Sequence, residues 1–325
     1  MIATTPLDIL RFIVDRHAEA IDTVLVTLIG IEGASSRAIG AQMAVAADGR
    51  RIGSFSGGCV EDAVAAEALE ALDDGWGRVV RYGIGSAYID IRLPCGGGID
   101  LLFTPRPDAA TMISALGQLD QRRATGLALG CDSVALLPDA VSRSWDGNSL
   151  HHAYQPALRI VALGQGEDLT AFARLGAAFG AQVQALTPDL PTRDLLGDEG
   201  IEATFLPTRN TLPIAHGDPW TAIVFLFHGR DWEEFLLPQA LALRSFYIGA
   251  IGSRKTHAAR RAMLSHSGVS MEQIETLRGH IGLIPATRDP ATLAVSILGE
   301  IVADYNALAL WSHWMGQPLE TTASA

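Results

Sequence analysis

The chain has 325 residues, 48% of them hydrophobic and 18% charged, with 33 glycines and a formal net charge of -12. That length favours two domains, and that composition favours a globular α/β protein over a disordered one. The acidic balance excludes a basic face for nucleic acid or an anionic membrane, because the 24 Lys and Arg residues form no run.

At the start, Ile9 to Ile13 is interrupted by Arg11, so no secretion leader is expected and the reading is cytoplasmic. Apolar runs such as Val24 to Ile31 and Ile223 to Phe227 are too short to span a membrane and read as buried strands. The cysteines are Cys59, Cys95 and Cys131, a sparse, odd set that suits reduced thiols. A Cys59–Cys95 disulfide stays open.

In chain order, Pro6 to Ala20 has the apolar spacing of a helix and Thr23 to Ile29 that of a strand. The polar loop from Gly30 to Gly40 contains Arg37, its one fork-shaped donor. Gln42 to Ala46 and Arg51 to Phe55 read as strands joined by an Asp48-Gly49 turn. They lead into Ser56-Gly57-Gly58-Cys59-Val60-Glu61, a glycine loop entering a helix over Val60 to Leu72. Glu61 and its acidic neighbours are expected to face water there.

A helix N-terminus attracts anions and lowers the pKa of a nearby thiol, which makes Cys59 a candidate thiolate beside a candidate anion site. A small buried cysteine filling a gap is the competing reading. Strands are expected over Arg78 to Tyr82, Ile89 to Leu93 and Ile99 to Phe103. A second bare turn, Cys95-Gly96-Gly97-Gly98, precedes the last of them. It is either a ligand-approach site or a tight hairpin with an incidental thiol.

The expected domains are a mixed α/β N-terminal domain over 1–108, a connecting segment over 109–156 and a Rossmann-like parallel-sheet domain over 157–325. Ala109 to Arg122 reads as a helix and Gly126 to Leu137 as a hairpin. Asp139 to Pro156 reads as a polar linker in which His151 and His152 are solvated, so no metal site is expected. From Leu158 the chain gives a βαβ outline with Gly164 and Gly166, but Leu169 stands where a third glycine would pack helix against strand.

Further strands end at His228-Gly229-Arg230 and at Gly252-Ser253-Arg254-Lys255, the latter an anion-attracting corner at a helix N-terminus. A last helix from Pro290 to about Trp314 is apolar on much of its circumference, which is read equally as a subunit contact or as packing within the chain.

Arg37, Gly40, the Asp48-Gly49 turn, Ser56 to Glu61, Tyr82-Gly83 and Cys95-Gly96-Gly97 together resemble the N-terminal domain of the xanthine dehydrogenase accessory protein (XdhC/CoxI) family. Tyr247 to Lys255, Ile281-Gly282-Leu283 and the closing helix resemble its C-terminal domain. The resemblance implies a molybdenum-cofactor (molybdopterin) chaperone rather than a turnover enzyme. It would support cofactor sulfuration by a cysteine desulfurase and serve a xanthine dehydrogenase-type molybdoenzyme, as a homodimer.

On that reading Cys59 and Cys95 contact sulfur or metal. Arg37, Ser56, Gly57, Gly58, Glu61, Gly96, Gly97, Gly252, Ser253 and Arg254 join them in holding the cofactor. The alternatives are an NAD(P)-dependent oxidoreductase, suggested by the βαβ unit, and a scaffold without chemistry. Departures from the family pattern fall on the Rossmann-like side, where Gln165 replaces a histidine and Leu186-Thr187-Pro188-Asp189 replaces an acidic pair with arginine.

Overall fold

A computed structural model describes residues 5–58, 60–86, 96–138 and 143–308 of the chain. Cys59, Cys95, the strand expected over Ile89 to Leu93, and Trp311 and Trp314 lie outside the described residues. The chain divides between Pro156 and Ala157 into two compact units.

The first unit opens with α1 (Pro6–Ala18), whose N-terminus is closed by reciprocal hydrogen bonds between Thr5 and Asp8. It continues through β1 (Thr23–Glu32), β2 (Gln42–Ala46), β3 (Arg51–Gly53), α2 (Glu61–Asp74), β4 (Arg78–Gly83) and β5 (Gly98–Pro105). Then follow α3 (Ala109–Asp120), β6 (Thr125–Leu129), β7 (Val134–Leu137), β8 (Ser144–Trp145) and β9 (Leu150–Tyr154). One antiparallel sheet has the order β3-β2-β1-β5-β4, and a second has the order β7-β6-β9-β8.

Strand β1 lies in the middle of the first sheet and is buried along most of its length, which is why it reads as a continuous apolar run rather than an alternation. One face, with Val24, Val26 and Leu28, packs on Val64 and Ala68 of α2. The other, with Leu25 and Ile29, packs with Leu10 of α1, Met112 of α3 and Leu127 and Leu150 of the second sheet.

The polar stretch expected as a linker carries β8 and β9, and the segment 109–156 belongs to the first unit instead of connecting two others. His152 is buried with Leu150, Ala153 and Tyr154. Burial there comes from pairing with β6 across the chain, a long-range contact that a short strand of mixed residues does not announce.

The second unit runs β10 (Arg159–Gly164), α4 (Gly166–Phe179), β11 (Gln182–Thr187), α5 (Leu190–Asp198), β12 (Glu202–Phe205) and β13 (Thr221–Leu226). It ends with α6 (Glu233–Leu241), β14 (Tyr247–Ala250), α7 (Arg254–His266), α8 (Met271–Thr276), β15 (Leu277–Gly279) and α9 (Pro290–Ala307). Its parallel sheet has the order β12-β11-β10-β13-β14-β15, the doubly wound order of a Rossmann-like domain, with the reversal between β10 and β13.

A separate apolar cluster covers each face of that sheet. In α9, Ala294, Ile297, Leu298 and Ile301 are buried within the unit, so most of the apolar circumference in its described part is satisfied there. Val295 and Leu308 remain exposed. Among the described residues no helix is long and apolar enough to cross a membrane.

Candidate functional site

The loop after β3 is organised around one carboxylate. Glu61 accepts hydrogen bonds from the backbone N–H groups of Phe55 (2.9 Å), Ser56 (2.8 Å), Gly57 (3.1 Å), Gly58 (2.7 Å) and Val60 (3.2 Å). Ser56 Oγ donates to it as well, at 3.0 Å. Positive φ at Gly57 (79°) and Gly58 (127°) turns successive N–H groups toward one side, the geometry of an anion-holding nest.

Glu61 is only 6% exposed, so the carboxylate expected to face water is interior. Burial alone would raise its pKa, but the backbone donors of Ser56 and Phe55 outweigh it and hold the carboxyl at about 2. The anion site expected at Ser56, Gly57 and Gly58 is therefore filled by the protein's own side chain. These residues shape the loop, and their described donors face Glu61 rather than an external phosphate.

The loop between β1 and β2 lies against this one. Ser36 Oγ donates to the Phe55 carbonyl at 2.7 Å. The exposed Arg37 donates through Nε to the Ser54 carbonyl at 3.2 Å and through Nη2 to Ser54 Oγ at 3.1 Å. On its other side the same loop meets the second glycine turn, since a Cβ on Gly97 would stand 2.5 Å from the Ala34 carbonyl oxygen and 2.6 Å from that of Glu32. Arg37, Ser56 to Gly58, and Gly96 and Gly97 thus gather at one end of the first sheet, the end where β1 and β4 finish and β5 begins.

Three charged residues at this end escape the sequence reading. Arg81 of β4 stands directly across from Asp100 of β5, which stands across from Gly30 of β1. Arg81 Nη1 lies 3.2 Å from Asp100 Oδ2, Arg81 Nε donates to the Ile84 carbonyl at 2.7 Å, and Arg81 Nη2 pairs with Glu32. The signal that could have found them is opposite charges on paired strands, flanked by glycines that leave room for the side chains.

The far end of the β1–β2 loop is held by Arg143, whose Nη1 donates to the Ile39 carbonyl and whose Nε donates to His152 Nδ1 at 3.1 Å. Gln42 Nε2 donates to the Tyr154 hydroxyl at 2.7 Å and to Thr27 Oγ1 at 3.3 Å in the same interior. Burial, and then the neighbouring Arg143, push His152 well below its ordinary pKa, so it accepts as a neutral imidazole. Burial also lowers Arg143 to about 10. His152, expected as a solvated residue, is a structural one. Burial and then Asp132 raise the pKa of the Cys131 thiol, which disfavours its thiolate.

In the second unit, Ser253 Oγ accepts the Thr256 N–H at 3.2 Å and so caps α7, with Arg254 and Lys255 exposed beside it. The chain two residues earlier, at Ile251, is fixed from below. Arg260 forms a fork on Glu233, Nε to Oε2 at 2.8 Å and Nη2 to Oε1 at 2.7 Å, and Nη2 also donates to the Ile251 carbonyl at 2.9 Å. Both side chains are 1% exposed. Gly252 and Ser253 follow at once.

At the reversal of the strand order the groups do not fit a dinucleotide. The Gly166 N–H that would face a pyrophosphate donates to Thr192 Oγ1 at 3.2 Å, and Glu167 and Asp168 make the first turn of α4 acidic. At the end of β11, where an acid would hold a ribose, Thr187 is buried and Asp189 caps α5 by accepting the Thr192 N–H. An exposed His228 meets Asp168 there at 3.0 Å between Nε2 and Oδ2. A cavity of about 630 Å³ beside this point is lined by Thr170, Ala171, Pro191, Leu195 and Pro290, with Glu167 on its wall. Among the described residues no group of three or more His, Cys, Asp or Glu is placed to hold a metal ion.

Comparison with known proteins covers both units. Residues 160–301 match the XdhC Rossmann domain, and residues 17–83 match the XdhC and CoxI family. The molybdenum cofactor insertion chaperone PaoD of Escherichia coli K12 is 36% identical over 297 residues, covering 91% of this chain and 87% of PaoD. The uncharacterized protein YqeB of the same strain is 24% identical over 280 residues, covering 81% of this chain and 40% of YqeB.

A crystal structure of a protein named as a xanthine dehydrogenase from Bacillus halodurans has the same fold, with a TM-score of 0.78 at 18% identity over 94% of this chain and 97% of that one. With both units matched and 36% of 297 aligned residues identical to PaoD, the chain belongs to the XdhC and CoxI family.

Proposed function

We propose that this protein binds the molybdenum cofactor in its molybdopterin form, supports its sulfuration by a cysteine desulfurase and delivers it to a xanthine dehydrogenase-type molybdoenzyme. The observation that carries the proposal is the 36% identity to PaoD, a molybdenum cofactor insertion chaperone, over 91% of this chain. The geometry supports it at the end of the first sheet, where two glycine turns and the Arg37 loop pack together.

When bound, molybdopterin supplies a dithiolene-held metal and a terminal phosphate. In the first unit Gly96 offers bare backbone to such a group and Arg37 a guanidinium. Within the second unit, taken by itself, the Ser253-Arg254 corner offers donors to an anion. Cys59 and Cys95 take the roles of sulfur or metal contact in this proposal. Glu61 does not touch the cofactor: it fixes the first loop through the backbone donors it accepts. A homodimer belongs to the same reading, with the exposed Val295 of α9 and Leu308 just after it as its contact. Nicotinamide chemistry does not, because the donors and acids that a dinucleotide requires are used within the second unit.

The test is the fluorescence of oxidised pterin released from protein purified out of molybdenum-replete cells. The wild-type protein should carry pterin and activate a molybdoenzyme apoprotein, and the Cys59→Ala/Cys95→Ala protein should lose activation. If the double variant retains both full pterin loading and full activation, the roles given to the cysteines are wrong. If wild-type protein neither carries nor acquires pterin, the whole reading is wrong.

A further inference from the structure

The cluster around Arg81 has a composition that simple sheet stabilisation does not require. Arg81 and Asp100 are direct cross-strand neighbours, and Gly30 completes their row. A Cβ at Gly30 would stand 2.5 Å from Asp100 Oδ2. Two rows on, past Ile31, Ile99 and Tyr82, Glu32 of β1 faces Gly98, which faces Gly83 of β4. Arg81 Nη2 crosses that row to reach Glu32, passing where a side chain on Gly98 would be: a Cβ there would stand 2.9 Å from Nη2. Gly85 leaves space on the other flank, where a Cβ would stand 3.1 Å from Arg81 Nε. Glycine on two sides, Gly98 and Gly85, leaves room for the guanidinium, and Gly30 leaves room for the carboxylate that orients it.

The contacts of that guanidinium are unequal. Asp100, 20% exposed, holds Nη1, and the Ile84 carbonyl holds Nε, so two edges of the fork are set from within the sheet. Nη2 faces the bare backbone of the second glycine turn, and its partner Glu32 is 61% exposed. An exposed carboxylate gains little from such a pair and gives it up readily, because water screens the attraction and ordering the side chain costs entropy. A phosphate offers the same oxygens with more charge and a geometry that matches a guanidinium fork.

We propose that Arg81 is a phosphate-binding residue and that Glu32 holds its Nη2 edge until a phosphate monoester displaces it. The proposal rests on the cofactor reading for the identity of that ester, the terminal phosphate of the pterin, and assigns it to Arg81 where the sequence pointed to Arg37 and Arg254. With Glu32 in place the cluster holds two carboxylates against one guanidinium and repels anions. Once Glu32 swings out, Asp100 still orients the fork and the ligand takes the edge that Glu32 held beside Gly98. Arg81 carries out no chemistry on the ligand.

The experiment measures binding of the oxidised fluorescent pterin, with and without its terminal phosphate, by fluorescence anisotropy. The wild-type protein should prefer the phosphorylated form. Glu32→Gln should tighten that form by about two- to fivefold, the scale of an exposed ion pair, and leave the dephosphorylated form unchanged. Arg81→Met should weaken the phosphorylated form by about tenfold or more, erasing the preference. A purely structural role predicts the opposite sign for Glu32→Gln, since breaking the pair would loosen the turn.

Unchanged or weaker binding in Glu32→Gln, or a preference that survives Arg81→Met, overturns the proposal. If Arg81→Met fails to fold, Glu32→Gln decides alone, because it removes only a charge from an exposed position. If neither pterin form binds wild-type protein, the cofactor reading fails. Calorimetry with inorganic pyrophosphate then judges Arg81 separately: affinity that rises in Glu32→Gln sustains the phosphate site, and affinity that does not rise ends it.

Discussion

At position 61 a single carboxylate accepts the donors that a phosphate would otherwise receive. Replacing Glu61 by Gln puts an amide N–H₂ among N–H donors and leaves some unsatisfied, which should destabilise the first unit by about 2–3 kcal/mol. The pH dependence has a definite sign. The folded carboxyl titrates at about 2, below its ordinary 4.5, so its contribution is complete above 4.5 and is lost as pH falls toward 2. The difference in melting temperature between wild type and Glu61→Gln should therefore be constant from pH 7 to pH 5 and shrink below 4.5. A difference that stays constant down to pH 3 would show that the nest does not depend on the charge. The Gly57-Gly58 pair and Glu61 three residues later were legible as a loop entering a helix. Which anion the loop binds was not, because a nest filled by its own chain and a nest open to a ligand have the same glycines.

At the scale of elements, strands with strong period or complete burial were legible and short elements held by distant partners were not. The β2 strand falls on its expected residues, Gln42–Ala46, β10 begins one residue after the expected Leu158, and β13 (Thr221–Leu226) overlaps the apolar run Ile223 to Phe227. The missed elements are α5, β12 and β15, of which β12 and β15 are edge strands of the parallel sheet, plus β8 and β9, whose polar surroundings look like a linker. β9 also carries a testable consequence. His152 is held neutral below its ordinary pKa of 6.5, whereas the unfolded chain takes up a proton there, so stability falls as pH drops below 6.5. One such residue contributes a slope of up to about 1.4 kcal/mol per pH unit. In His152→Asn the denaturant-derived stability should be lower than wild type at pH 7.5, from lost packing against Arg143 and Tyr154, yet should decline less steeply between pH 6.5 and pH 5.5. Parallel pH profiles would mean that His152 is protonated in the fold and that Arg143 has moved away from it.

For the whole molecule, the division at Pro156 and Ala157 separates two pairs of apolar clusters, one pair on the faces of the first sheet and one on the faces of the parallel sheet. Units that close their own cores are expected to unfold in separable steps, which makes a change in one unit a local probe. The most sensitive probe in the second unit is the buried fork of Arg260 on Glu233. Arg260→Met leaves a carboxylate without its partner in the interior and should cost about 3–5 kcal/mol, whereas Glu233→Leu/Arg260→Met, which removes both charges, should recover most of that loss. In differential scanning calorimetry the single change should lower one transition and leave the other in place, and Glu61→Gln should move the transition that Arg260→Met does not. If both changes displace both transitions equally, the units unfold as one cooperative body. In that case the Ser253-Arg254 corner, fixed through the Ile251 carbonyl by Arg260, is energetically coupled to the Glu61 nest of the first unit.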